Sequence, residues 1–267
     1  MARQQPRIHP TAVVEAGARL ADDVEVGPYS VIGPQVSVGP GSWIGSHVVL
    51  AGRTTIGARN RIFPFCSLGT EPQDKKYAGE DTALEIGDGN TIREYCLFNT
   101  GTAQGGGVTR IGSDNWIMGH AHIAHDCVVG DHVILANAVP LGGHVSVGDW
   151  AVIGGTAAVH QFVRVGAHSM CGGGTMLTQD LPPFVTCSGV PPQAHGLNVE
   201  GLKRRGFGAD SIAGLRRAYK LVYRDGLVLA QARAALDALI ESSSEDVAGP
   251  LRQFAAFLAE PGRGIVR

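Results

Sequence analysis

The sequence predicts a mainly β protein, a parallel β-helix of hexapeptide repeats with a C-terminal α-helical domain. Three observations carry this. From Ile8 onward almost every sixth residue is aliphatic. Glycine supplies 38 of 267 residues, about twice the usual share, and often follows the aliphatic position, as in Val26-Gly27, Ile32-Gly33 and Val165-Gly166. Near residue 190 the rhythm stops, helical spacing begins and the charge balance changes. Residues 1–191 carry 11 Lys/Arg against 16 Asp/Glu, whereas residues 192–267 carry 11 against 8.

In chain order, the repeat runs through Ile8, Val14, Leu20, Val26, Ile32, Val38, Ile44, Leu50, Ile56, Ile62 and Leu68, then Ile86, Ile92 and Phe98. It resumes at Ile111 and continues through Ile117, Ile123, Val129, Leu135, Leu141, Val147, Ile153, Val159, Val165, Cys171 and Leu177. A helix needs a period near 3.6 and a simple strand a period of 2, so a period of six fits neither. It fits a solenoid in which each hexapeptide gives one short strand and a corner, with the aliphatic side chain inward. The residue two places earlier is small or β-branched, as at Ala12, Ser30, Ser42, Ala121 and Ala151. Cys66, Cys96 and Cys127 fall at that small inward position, which reads as core filling. Two excursions interrupt the pattern, at residues 69–85 and 99–110. The β-helix thus spans 1–190 and the helical domain 191–267. Three helices are expected there. The first is capped by Asp210 or Ser211, buries Ile212, Leu215, Tyr219 and Val222, and ends at Gly226. The second covers 227–242, and the third covers about 250–260 with Pro250 in its first turn.

Composition excludes several classes. Charged residues make up 17% and hydrophobic ones 44%, the reverse of a disordered chain. No G-X-Y period appears, so collagen is out. The opening MARQQPRIHP has no apolar core for a secretory signal, and no uncharged apolar run reaches membrane-spanning length. Five cysteines without CxxC spacing argue against a disulfide framework or zinc ribbon, so a soluble cytoplasmic protein is expected. Neither part is basic enough for general nucleic-acid binding.

The repeat resembles that of the hexapeptide-repeat acyltransferases. That resemblance implies a left-handed winding with three hexapeptides per coil. Seven of the ten histidines lie between 120 and 168: His120, His122, His125, His132, His144, His160 and His168. With 18 residues per coil, Ile123, Leu141 and Val159 stack on one face, so His125, His144, His160 and Gln161 line one corner on successive coils, roughly 5 Å apart. His122 lies just ahead of it. No GxSxG, Walker loop or HExxH occurs, which removes serine-hydrolase, P-loop and zincin chemistry. Two chemistries remain for clustered histidines on this scaffold: a metal site, as in hexapeptide-repeat carbonic anhydrases, or a general base for acyl transfer. A purely structural scaffold is the non-enzymatic alternative.

The segments IHPTAVVE, DKKYAGE, GNTIREY, AHIAHDC, AVHQF, GAHSM, QDLPPFV and GLNVEGLKRRGF together resemble the UDP-N-acetylglucosamine O-acyltransferase family, over nearly the whole chain. The resemblance implies transfer of a 3-hydroxyacyl group from acyl carrier protein to the 3-hydroxyl of UDP-N-acetylglucosamine, the first step of lipid A biosynthesis. It implies a homotrimer and neither a cofactor nor a metal. Carried over by position, His125 is the general base, Asp126 its orienting partner and the Gly143 N–H an oxyanion donor. His122, His144, His160 and Gln161 position glucosamine and acyl groups, with Asp74 and Lys76 on the sugar. Asn198, Glu200, Arg204 and Arg205 take the uridine and diphosphate end. Met170, Gly173 and Met176 set acyl-chain length, and the glycine implies a long chain in a groove running from His125 toward later coils. Three places depart from the family pattern: Thr100 stands where an Arg is expected, His120 where Asn is common, enriching the histidine cluster, and the segment GVPPQAHG before Leu197 differs from common forms. Arg216, Arg217, Lys220, Arg224 and Lys203 form a basic surface suited to an acidic carrier.

Overall fold

The structure, a computed structural model, describes residues 6–260 and 262–267. Residues 1–5, which open the segment read as lacking a leader, and residue 261 of the helical part lie outside it. Each hexapeptide forms a two-residue strand whose second residue points inward. In Trp116–Ile117, His122–Ile123 and Val128–Val129 that residue is buried and the first is at least partly exposed. Along the prism, strands pair in parallel with the strand three elements later, as His122 with Pro140 and Ile123 with Leu141. Residues one coil apart are therefore stacked about 4.8 Å apart. Three faces result, named here by the strands Trp116–Ile117 (first), His122–Ile123 (second) and Val128–Val129 (third). They wind into a left-handed parallel β-helix.

The inward rows make a continuous apolar interior in which Ile44, Leu50, Ile62, Leu68, Ile92, Phe98, Ile117, Ile123, Leu135 and Leu141 are fully buried. Burying each such side chain contributes about 1.5–3 kcal/mol. Cys66, Cys96 and Cys127 lie in this core as expected, and Cys171 and Cys187 join them. Among the polar side chains that enter the interior, three asparagines form a ladder. Asn90 donates from its amide to Asn60 Oδ1 (3.0 Å) and to the Gly112 carbonyl (2.9 Å), and its own oxygen accepts the Asn115 N–H (2.9 Å). Each rung thus satisfies backbone groups that the corner leaves open.

Corners require a left-handed residue, and many are not glycine. Asp126, His144 and Phe162 have φ of 60°, 61° and 66° at the second-to-third corner. Tyr95 and His120 (62° and 62°) stand at the first-to-second corner, and His132, Trp150 and His168 (56°, 62° and 58°) at the third-to-first. Such backbone costs roughly 1–2 kcal/mol per residue, and here the rings stack coil on coil, as Tyr95 on His120 at 4.8 Å.

Both excursions are narrower than the sequence suggests. Strands Ser67–Thr70 and Ala83–Ile86 run into the first, leaving 71–82 to protrude; Leu97–Asn99 and Val108–Ile111 bracket the second, which holds a 3-10 turn at Ala103–Gly105. Both leave the prism between the second and third faces. At the far end, Val185–Ser188 pairs in parallel on the first face and then antiparallel with Gln193–Leu197, so strand structure continues past the loss of periodicity.

The helices are α1 (Val199–Arg204), α2 (Ala209–Tyr223), α3 (Leu229–Glu241) and α4 (Glu245–Ala259). Helix α1, capped by the Asn198 side chain, has too few turns to show a periodic signal. Helix α2 buries Ile212, Leu215, Tyr219 and Val222 as expected but starts after Gly208, so Asp210 lies in its first turn rather than at the cap. Helix α4 starts five residues before Pro250, which sits inside it. The carbonyl that would accept a bond from residue 250 belongs to Asp246, and it accepts the Ser211 hydroxyl at 2.8 Å instead. Burial of Val247 and Ala248 favours the extended helix.

Replacing Asn90 by Ala strands the Gly112 carbonyl and the Asn115 N–H in a dry interior. The expected loss is about 2–6 kcal/mol, at about 1–3 kcal/mol per stranded group. Urea unfolding of the variant against the parent measures it.

Candidate functional site

The second-to-third corner is crossed by both excursions and then, on the next coil, by His125-Asp126. Asp126 is the left-handed corner residue, its side chain only 1% exposed. Burying a carboxylate demands donors, and three are present. Oδ1 accepts the Thr102 N–H (2.9 Å), while Oδ2 accepts the Thr102 hydroxyl (2.6 Å) and faces His125 Nδ1 (2.8 Å). Thr109 fixes the backbone by accepting the Asp126 N–H (2.8 Å). With Nδ1–H donating to Asp126, His125 keeps Nε2 as a lone pair at the surface.

Two glycines fit this pair. A β-carbon on Gly105 would fall 2.0 Å from the Asp126 carboxyl carbon, and one on Gly143 would fall 2.5 Å from His125 Cε1. His144, one coil on, meets His125 edge-on at 5.1 Å between ring centres, with Nε2 3.7 Å from Asp126 Oδ2. Phe162 stacks on His144 at 4.5 Å. His160 and Gln161 are exposed at the same corner, and His160 Nδ1 donates to the Gln161 carbonyl (3.0 Å). His122 points outward on the second face beside the corner, with Nε2 3.0 Å from Asn99 Oδ1. Burial, with the neighbouring His125, lowers the His122 pKa, so the ring is neutral at physiological pH. Asp74 and Lys76 belong to the first excursion, where Asp74 accepts the Lys76 N–H (3.0 Å). Below that loop a cavity of about 740 Å³ is lined by Arg53, Glu71, Tyr77, Thr82 and Thr100. Thr100 is buried against the Thr82 hydroxyl, 3.0 Å away.

Other expected residues stand elsewhere. His120 does not enrich the cluster, because it stacks on Tyr95 at the first-to-second corner. His132 and His168 flank Trp150 at the third-to-first corner. The seven histidines are thus spread over three corners, because residues six apart lie on successive faces. Asn198 donates to the His168 carbonyl (3.0 Å) and caps α1; Arg205 lies 5.1 Å over Trp150 with Nη1 buried and unpartnered. Burial, then Arg205, lowers the His168 pKa to about 4. Glu200 pairs with Lys203 (3.2 Å), and Arg204 is exposed. This second group therefore sits at a different corner from His125.

The chain-length residues also leave the His125 corner. Gly173 stands between the first and second faces, Met170 points out of the first face and Met176 out of the second. The offset of 48 residues from His125 to Gly173 is not a whole number of 18-residue coils, so a groove cannot follow one corner to it. The register instead aligns His122, Pro140, Ala158 and Met176 along the outer second face.

Among the described residues, His125, Asp126 and His144 are the group whose ligand atoms converge within 4.8 Å. Asp126 already accepts three donors and His125 Nδ1 is one of them, so this set fits a proton relay better than a metal. Sequence reasoning missed Asn99, Thr102, Gly105 and Thr109. Thr102 precedes Asp126 by 24 residues, and the second excursion breaks the spacing of 18 that would have paired them.

Comparison with known proteins places these features. Residues 180–266 match the family model for UDP-N-acetylglucosamine O-acyltransferase, domain 2, and residues 109–139 match that for bacterial transferase hexapeptide repeats. An acyl-[acyl-carrier-protein]–UDP-N-acetylglucosamine O-acyltransferase of Thiobacillus denitrificans is 59% identical, covering 97% of this chain and 99% of its own. The crystal structure of UDP-N-acetylglucosamine O-acyltransferase from Moraxella catarrhalis superposes with a TM-score of 0.93 at 43% identity, over 97% of this chain and 99% of that one. The UDP-N-acetylglucosamine acyltransferase of Campylobacter jejuni gives 0.89 at 38% identity, over 98% and 100%.

Gly143→Ala is expected to push the His125 ring off its place beside Asp126 while the prism stays folded. Turnover should fall on the order of 10²-fold, the scale of a misplaced reacting group. Steady-state kinetics beside a thermal melt checks both halves.

Proposed function

Because the chain belongs to the UDP-N-acetylglucosamine O-acyltransferase family, whose enzymes open lipid A biosynthesis, we propose that His125 is the general base of its acyl transfer from acyl carrier protein to UDP-N-acetylglucosamine. The observation that carries this is the Thr102–Asp126–His125 chain, which buries a carboxylate behind the imidazole and leaves Nε2 free to accept a proton. Nε2 takes the proton of the sugar 3-hydroxyl as that oxygen attacks the thioester carbon of a 3-hydroxyacyl donor. The Gly143 N–H stabilises the oxyanion. Collapse breaks the carbon–sulfur bond, and the carrier's thiolate takes the proton back from His125. Asp126, already saturated with donors, favours the imidazolium between these steps.

His122, His144, His160 and Gln161 position the glucosamine and acyl groups, and Asp74 and Lys76 contact the sugar. Asn198, Glu200, Arg204 and Arg205 hold the uridine and diphosphate, where guanidinium groups suit phosphate oxygens. Since these last four flank a different corner of the same prism, they complete the site from a neighbouring copy in a homotrimer. The basic residues Arg216, Arg217, Lys220 and Arg224 are all exposed along and just beyond α2 and receive the acidic carrier, with Lys203 alongside. The acyl chain passes over the outer second face toward Met176, bordered by Gly173, with Met170 beyond that corner. Among the described residues no helix is long and apolar enough to cross a membrane. The proposed site of action is the cytoplasm.

His125→Ala should lower kcat by roughly 10²–10⁴, the usual worth of a general base, with sugar-nucleotide binding nearly intact. Product formation by mass spectrometry, with calorimetric titration of UDP-N-acetylglucosamine, separates the effects; a variant with more than about a tenth of parental turnover removes His125 from this role.

A second expectation concerns Gly173. Its β-carbon would lie 3.1 Å from the Gly155 carbonyl, so any larger side chain must project outward. Gly173→Met should shift preference toward shorter donors, each lost methylene changing kcat/KM by about 0.8 kcal/mol, or roughly fourfold. A panel of carrier thioesters reads this out.

A further inference from the structure

Asn99 is buried (1% exposed) at the end of the strand Leu97–Asn99, where the second excursion begins. Its amide nitrogen faces two carbonyls, that of Glu71 at 2.8 Å and that of Thr70 at 3.4 Å, with the Thr70 hydroxyl also at 3.4 Å. That fixes which end of the amide is nitrogen. The oxygen is therefore the atom 3.0 Å from His122 Nε2. An amide oxygen can only accept, so His122 carries its proton on Nε2 and keeps Nδ1 as its one acceptor. Glu71 is the first residue of the protruding 71–82 segment that carries Asp74 and Lys76.

We propose that Asn99 is a positioning residue that sets the tautomer of His122 and the seating of the first excursion through a single amide. This rests on the reading above, in which His122 and the excursion both touch the sugar. His122 then meets the substrate as an acceptor for a hydroxyl proton, and an acceptor on the substrate would find no donor on this ring. One side chain thereby keeps the loop and the ring in mutual register from the coil that lies between them.

Two substitutions split the amide's roles. In Asn99→Asp the carboxylate still accepts from Nε2–H but gives nothing to the Glu71 carbonyl. Asn99→Leu, similar in size, removes both bonds. Nitrogen-15 spectra of histidine-labelled protein, at a pH where the ring is neutral, report which nitrogen bears the proton, and amide exchange reports the 71–82 segment. The parent should show Nε2–H for His122. Asn99→Asp should retain it with faster loop exchange, and Asn99→Leu should lose both. The KM for UDP-N-acetylglucosamine should rise about tenfold in Asn99→Leu with kcat within about threefold, since uniform binding is what is removed. An Nδ1–H ring in the parent, or an Asn99→Leu protein with parental KM and loop exchange, overturns the proposal. His122→Ala with parental KM would overturn the sugar-binding reading instead, and the ring-proton and exchange measurements would still decide the link through Asn99.

Discussion

The register of the coil-to-coil hydrogen bonds is the constraint on which everything else depends. A typical strand is only two residues long, too short to hold a place by itself. It is fixed because its partners lie one coil before and one coil after, and the inward aliphatic must stack on its predecessor. Slipping by one residue would turn every aliphatic outward. The lattice therefore converts sequence offset into position: 18 residues means directly above, and six means the next face.

That conversion explains how this site arises on a rod of repeating coils. Regular coils give repeating faces and stacked corners; the His125 site adds departures from regularity placed at one edge. The two excursions leave from the same corner on consecutive coils, and His125-Asp126 follows at that corner on the third. The excursions then turn back on it. The second brings Thr102 onto the Asp126 carboxylate, while the first is tethered by Glu71 to Asn99. Asp126 can enter the corner because the fold already imposes a left-handed backbone at that step, so no separate distortion is needed to aim it.

Most of the architecture was legible because it is periodic. The aliphatic series, its small companions, the inward cysteines and the amphipathic stripe of α2 all follow from spacing alone. Non-periodic features were legible only in part. The hairpin Val185–Ser188 with Gln193–Leu197, the short α1 and the early start of α4 depend on tertiary partners such as the Ser211 hydroxyl at Asp246, which no local pattern announces. In the site, His125, His144, His160 and Gln161 could be placed on one corner by counting in eighteens. Thr102 and Asn99 could not, because an insertion intervenes. Nearness in sequence, not that counting, put His120 with the cluster; it stands at another corner, as His132 and His168 do.

Contacts in such a rod are confined to adjacent coils, so stability adds up along one dimension. The coils before Arg53 carry none of the residues gathered around His125. Loss or duplication of a whole 18-residue turn in that stretch returns every later residue to the same face and the same neighbours. Loss of a single hexapeptide would rotate the remainder by one face and pair mismatched corners. Divergence in rod length within such a lineage is thus quantised in whole turns on the N-terminal side. The corner bearing the two excursions admits no such exchange, since each of its turns differs from the next.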